Sequence, residues 1–152
     1  RYQLYGGNQK VSILQEIDYL KTYIALRKLR MSERLRLRVE FPPELNELNI
    51  YPFLFLPLVE NAFKYVGGDY QLDIIMKWEN NRISLFIRNS IPELSAEDEA
   101  LRKSVDERQR KGIGLVNLRR RLSLLYPNKH RLETRKEETE FVAELMIEIE
   151  EI

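Results

Sequence analysis

Apolar and polar positions along this chain keep two rhythms, and the switches between them outline its elements. Ile13, Ile17, Leu20 and Ile24 recur at three- and four-residue steps, the period of one helix face. Ser12 followed by Gln15 has the spacing of a capping box, so a helix is predicted from residue 12 to about Met31. "RLRLRVEF" (34–41) then alternates Leu35, Leu37, Val39 and Phe41 with charge, the period of a half-buried strand, and Pro42–Pro43 ends it. The helical rhythm returns over 52–66, with Pro52 near the first turn and Gly67–Gly68 as the stop. Pro57 sits awkwardly inside that run and marks either a kink or a later start.

Two alternating runs follow, "LDIIMKWE" (72–79) and "RISLFIRN" (82–89), joined through Asn80–Asn81, a tight-hairpin signal. Trp78 alternates within the first of them and reads as sheet-face packing. Over 91–111 the rhythm disappears. Eleven of these twenty-one residues are charged, too many for the segment to bury much, which predicts a long mobile loop of functional kind. "KGIGLVNLRRRLSLLYP" (111–127) turns on two glycines into a helix with Leu115, Leu118, Leu122 and Leu125 on one stripe. Strands over about 131–137 and 140–149 close the chain around Glu138. This order predicts a two-layer α/β sandwich of the α+β class, with one mixed sheet and its helices on one face.

Composition narrows the chemistry. With 152 residues, 43% hydrophobic and 32% charged, the chain supports one domain with a real core. A net charge of +1 gives no global argument for nucleic acid or an anionic membrane, and no run reaches the roughly eighteen apolar residues of a membrane span. With no cysteine and one histidine, disulfides, thiol catalysis and Cys/His zinc sites are excluded. His130, between a helix and a strand beside a turn, is read as structural. The opening "RYQLYGGNQK" begins in mid-pattern, which points to a piece of a longer protein.

Two stretches carry candidate chemistry. In "PLVENAFKYV" (57–66), Leu58, Val59, Ala62, Phe63 and Val66 fill one helical arc, and Glu60, Asn61, Lys64 and Tyr65 fill the opposite one. That arc is either an ordinary solvated face or a ligand face. Glu60 and Asn61 offer the oxygen ligands that Mg²⁺ prefers, and Lys64 one turn on could neutralise phosphate. Gly112-x-Gly114 opening a helix is a phosphate hint, although such a motif is more often only a turn. Arg108, Arg110, Lys111, Arg119, Arg120 and Arg121 around it are a solvated face on one reading and an electropositive polyphosphate rim on the other.

"LVENAFKYV" resembles the N box of the GHKL ATPases, and "GIGLVNLRRRL" resembles their G2 box. More narrowly, the chain is similar to sensor histidine kinases of the LytS/YehU type, through "RYQLY", "EIDYLKTYIALRKLR", "LVENA" and "GIGLVNLRRRLSLLYP" in that order. The resemblance covers nearly the whole chain. It implies a Bergerat-type fold, a mostly antiparallel mixed sheet of about five strands, and ATP with Mg²⁺ as cofactors. It makes Asn61 the Mg²⁺ ligand, and Glu60 and Lys64 the residues nearest the chemistry. Tyr65, Asn89, Gly112, Gly114 and Leu115 join Asn61 and Lys64 around the nucleotide. Residues 91–111 become the ATP lid, residues 1–11 the end of a preceding dimerisation and phosphoacceptor hairpin, and residues 12–152 the catalytic domain.

One box departs from that family. Where it shows D-x-G-x-G, this chain reads "RNSIPEL" (88–94): Asn89 replaces the adenine-binding Asp and both glycines are missing. No "NPHFLFN"-like phosphoacceptor motif is present either. The resemblance therefore implies the ATP-binding domain of a two-component kinase, passing the γ-phosphoryl to a histidine elsewhere. It further implies a membrane-anchored bacterial homodimer whose catalytic domain is cytoplasmic, working with a LytTR-type response regulator. The alternatives are a degenerate, non-catalytic regulatory module and a water-activating GHL-type ATPase. Nucleic-acid binding through Arg119–Arg121 lacks interleaved aromatics and is set aside.

Overall fold

The computed structural model describes residues 9–43, 45, 47–93 and 113–150. In chain order the elements are β1 (Val11–Ser12), α1 (Ile13–Arg30), β2 (Arg36–Glu40), β3 (Asn49–Ile50) and α2 (Leu56–Tyr65), then β4 (Gln71–Glu79), β5 (Arg82–Ser90), α3 (Ile113–Leu125), β6 (His130–Lys136) and β7 (Glu140–Glu148).

Helix α1 begins where its sequence signal places it. Ser12 is the N-cap, and its Oγ accepts from the Leu14 N–H at 3.2 Å. Glu16 in the first turn and Arg27, Lys28 and Arg30 in the last complement the helix dipole. Ile13, Ile17, Leu20 and Ile24 are all buried, as their spacing requires. Helix α2 starts later than the 52–66 rhythm suggests. Its first residue is Leu56 and Pro57 lies in the first turn, where a missing N–H costs nothing. Pro52 instead belongs to the connection before it.

The main sheet has the order β2-β4-β5-β7-β6, with β2 parallel to β4 and every other pair antiparallel. Five strands, mostly antiparallel, is the predicted sheet. Asn80 (φ 53°) and Asn81 (φ 62°) both adopt the left-handed conformation of a two-residue hairpin turn, which sets the β4–β5 register from Leu72↔Asn89 to Glu79↔Arg82. A second, two-stranded sheet was not visible in the pattern: β1 pairs with β3 through Val11↔Ile50 and Ser12↔Asn49. Two-residue strands are too short to show a period.

Alternation sorts the sheet into two faces. Leu72, Ile74 and Met76 of β4, Ile83, Leu85 and Ile87 of β5, and Ala143, Leu145 and Ile147 of β7 point to the helices and are buried. Trp78 is partly buried against that same core. The opposite face carries Lys77, Ser84, Phe86, Arg88 and Glu144, with an open groove of about 650 Å³ over it. Burial against α1, α2 and α3 therefore uses one side only, which makes the two-layer sandwich.

Candidate functional site

The apolar arc of α2 is the buried one: Leu58, Val59, Ala62 and Phe63 face the core. This leaves Glu60 and Lys64 exposed and Asn61 and Tyr65 half-buried on the other side. Lys64 Nζ stands 5.4 Å from the centre of the Tyr65 ring. Glu60 looks toward α1. Burial pushes the Tyr23 phenol up from its ordinary value, the Arg27 guanidinium opposes this, and the Glu60 charge adds to it. Arg27 also donates to the Tyr23 hydroxyl at 3.0 Å and lies 5.5 Å from the Phe63 ring centre, so α1 and α2 share a cation–aromatic contact beneath Glu60.

The C-terminal end of α2 is stitched to the end of β5. Gly67 N–H donates to the Ser90 carbonyl at 2.9 Å, Ser90 Oγ donates to the Gly67 carbonyl at 2.7 Å, and Gln71 N–H donates to Ser90 Oγ at 2.8 Å. Gly68 takes φ +61°, and a Cβ there would come within 2.7 Å of the Ile91 carbonyl oxygen. The chain approaches too closely at this point for a side chain. These bonds bring the strand end that carries Asn89 to the helix end that carries Tyr65. Asn89 points to the helix side and is 1% exposed, with its Nδ2 donating to the Ser90 carbonyl at 3.4 Å.

Helix α3 contains Gly114, and its Leu118 and Leu122 are buried while Leu115 and Leu125 are partly buried against the core. Gly112 and residues 94–111, where most of the lid is expected, lie outside the described residues, as do Arg108, Arg110 and Lys111. Of the predicted basic rim, Arg119–Arg121 lie among the described residues, and two of these bond to backbone carbonyls. Arg119 Nη1 donates to the Leu132 carbonyl at 3.2 Å and Arg121 Nη1 to the Phe53 carbonyl at 3.3 Å. His130 Nδ1 lies 2.7 Å from the Tyr126 carbonyl oxygen, a structural bond at the end of α3.

Glu16 is a buried polar residue that the sequence expectations do not include. It is 2% exposed, Oε2 accepts from the Phe53 N–H at 3.1 Å, and Oε1 meets no hydrogen-bond donor among the described residues. A signal was present: Glu16 lies three residues after Ile13 and four before Leu20, inside the buried stripe. Burial pushes the Glu16 carboxyl above its ordinary value, against the Phe53 hydrogen bond and the Arg121 charge. The folded state then holds this proton more tightly than the unfolded chain. The group's stabilising contribution is complete below the ordinary carboxylate range and falls as pH rises through the raised value. Thermal melts from about pH 4 to about pH 8 should show the unaltered protein losing more stability than Glu16→Gln as pH rises. A difference between the two that stays constant across that range would contradict this.

No group of His, Asp or Glu among the described residues could hold a metal ion alone. Asn61, half-buried on the accessible side of α2, offers a neutral oxygen of the kind that suits a hard cation such as Mg²⁺.

Comparison with known proteins agrees with this geometry at the level of fold. No family model matches the chain. Over 137 residues it is 27% identical to the sensor protein kinase HptS of Staphylococcus aureus, in strains USA300 and COL alike; the match takes in 87% of this chain and 26% of that protein. The chain thus spans about a quarter of the length of the curated relatives it matches. Among solved structures, the catalytic domain of histidine kinase ThkA superposes with a TM-score of 0.64 at 15% identity, covering 93% of this chain and 95% of that one. Full-length ShkA in complex with AMPPNP gives 0.61 at 15% identity, covering 93% and 31%. The cytoplasmic segment of histidine kinase QseC gives 0.58 at 16% identity, covering 97% and 83%. The chain has the fold of histidine kinase catalytic domains, and its relatives in sequence are sensor kinases.

Proposed function

We propose that this chain is the ATP-binding catalytic domain of a sensor histidine kinase of LytS/YehU type, and that the polar arc of α2 forms the floor of its nucleotide site. The observation that carries the reading is the clean division of α2: four apolar side chains in the core, with Glu60, Asn61, Lys64 and Tyr65 left on the accessible side. Nothing in the packing of the core requires those four residue types. An amide, an ammonium and a phenol gathered on one accessible arc suit a nucleotide, and a neighbour of this fold was solved with the ATP analogue AMPPNP.

Asn61 presents a neutral oxygen to the cation, Lys64 a point charge to the phosphates, and Tyr65 an aromatic face toward adenine or ribose. Mg²⁺, when bound, neutralises charge on the β- and γ-phosphates. In the same reading Gly114 and Leu115, in the first turn of α3, belong to the phosphate site, where helix-start N–H groups favour anions, and Gly112, outside the described residues, belongs with them. The γ-phosphoryl leaves the β-phosphate oxygen as a histidine nitrogen bonds to phosphorus, and ADP departs; that histidine lies outside these residues. Exposed Glu60 is available to accept the proton that the imidazole gives up. In the same reading the full protein is a membrane-anchored homodimer with a LytTR-type response regulator as partner.

A second reading rests on Asn89. With the acidic residue and both glycines of that box replaced, the domain would keep its fold and act only through protein contacts. Calorimetric titration of ATP with Mg²⁺ separates the two. Saturable, Mg²⁺-dependent binding is expected, weakened at least about tenfold in Asn61→Ala, since a lost interaction with a charged ligand is worth about 1.5–3 kcal/mol. Asn89→Asp is expected to tighten binding, because an ionised acceptor makes the stronger bond to the adenine amino group. Absence of binding at millimolar nucleotide in both the unaltered protein and Asn89→Asp would overturn the kinase reading.

A further inference from the structure

Phe53 occupies a conformation its side chain disfavours. Its φ of +61° lies in the left-handed region, three residues before the start of α2 at Leu56. Pro52 favours a turn here, but the left-handed position falls to Phe53 and not to Gly, Asn or Asp: the local sequence is Tyr51-Pro52-Phe53-Leu54-Phe55. Something else must hold it, and both of its peptide groups are held by charged side chains. The Phe53 N–H donates to Glu16 Oε2 from α1 at 3.1 Å, and the Phe53 carbonyl accepts from Arg121 Nη1 of α3 at 3.3 Å. One residue pair earlier, the Tyr51 N–H donates to the Tyr126 hydroxyl at the end of α3 at 3.2 Å. The Phe53 ring meets Tyr19 edge-on, with centroids 5.4 Å apart.

Helix α2 has no side-chain cap of its own. Its N-cap residue is Phe55, whose carbonyl accepts from the Leu58 and Val59 N–H groups, so the start and rotation of α2 are set by the backbone that enters it. A rotation of α2 about its axis would move Asn61 and Lys64 directly, because both project from its outer arc. Arg121 stands on α3, two turns past Gly114.

We propose that Glu16 and Arg121 are positioning residues for the nucleotide site: together they clamp Phe53 and fix the α2 floor against α3, the helix that follows the glycine turn. This rests on the nucleotide reading above. Neither residue touches nucleotide in this role; they act through the Phe53 backbone. Glu16 adds a link to α1, so a displacement of the first turn of α1 reaches the α2 floor through a single carboxylate.

Amide hydrogen exchange on this chain tests the clamp without nucleotide, and calorimetry with Mg²⁺ and ATP tests its consequence. Glu16→Ala and Arg121→Met should each exchange the 53–59 amides at least about tenfold faster while β4 and β5 keep their protection. Both should weaken Mg²⁺–ATP binding by about fivefold or more at a temperature where they remain folded. Glu16→Gln, which keeps an acceptor oxygen for Phe53, should restore the exchange rates and most of the affinity. Ile147→Val in the buried centre of β7 serves as a control that lowers stability without touching the clamp. Unchanged exchange over 53–59 in both loss variants overturns the proposal, as does a uniform rise across the whole fold matching that control. Absence of nucleotide binding in both the unaltered protein and Asn89→Asp overturns the function proposed above, and the exchange rates then still decide whether the clamp exists.

Discussion

Phe63→Ala is expected to destabilise the domain by roughly 3–5 kcal/mol, the cost of removing a buried ring from a core that cannot fully collapse around the space. Phe63 is 2% exposed and is among the largest side chains wholly inside the molecule. Its ring meets Tyr23 edge-on at 6.2 Å and lies under the Arg27 guanidinium at 5.5 Å, so it joins α2 to α1 as well as to the sheet. At this chain length each kcal/mol corresponds to about 2–4 °C in Tm, and the melting temperature should fall by about 10–15 °C. Phe63→Leu keeps most of the apolar contact and should cost about 1–2 kcal/mol. Because Phe63 lies between Glu60 and Lys64 in sequence and anchors the opposite side of the helix, nucleotide affinity should fall with it. A loss below about 1 kcal/mol for Phe63→Ala would show that α2 is not held by its apolar arc.

Gly68→Ala carries the second large effect, for a different reason. The left-handed φ of +61° costs a side chain about 1–2 kcal/mol by itself. An added Cβ would also stand 2.7 Å from the Ile91 carbonyl oxygen and 3.0 Å from its carbonyl carbon. The neighbour is backbone and cannot swing aside, so the Gly67–Ser90 bonds or the Ile91–Pro92 segment must shift. A total of roughly 2–4 kcal/mol is expected, measured by denaturant unfolding. Ile91 N–H donates to the Thr139 carbonyl at 2.9 Å, which ties the same strand end to the β6–β7 turn. The strain therefore falls where the chain leaves β5 for the expected lid, and nucleotide affinity should drop more than in a variant of equal stability made elsewhere, such as on the open sheet face. Equal affinity in the two would show that this junction does not shape the site.

Both predictions start from residues whose role could be read at different depths. The division of α2 into an apolar and a polar arc follows from sequence alone, because a helix period of about 100° per residue leaves Glu60, Asn61, Lys64 and Tyr65 no place among the buried positions. The stripe on α1, the alternation of β4, β5 and β7 and the Asn80–Asn81 turn were legible for the same kind of reason: each is a local preference that tertiary packing reinforced. The start of α2 was only half legible: Pro57 left a kink and a later start open, and the helix takes the later start. The apolar run 52–55 continues the helical rhythm, yet Phe53 turns left-handed and delays the helix to Leu56. An aromatic residue does not favour that conformation even after Pro52, and two charged side chains thirty-seven and sixty-eight residues away in sequence bond its backbone there.

The sequence by itself determined the longer elements, the faces they bury and the residue types available for phosphate, because periodicity, turn chemistry and side-chain inventory are local properties. Tertiary structure alone decided the strand order, the β1–β3 pairing, the burial of Glu16 and the bonding of Arg119 and Arg121 to backbone carbonyls. Each of these depends on which groups distant in sequence the fold brings together: strands pair through their backbones, and a buried charge or peptide group must find a partner wherever the fold supplies one.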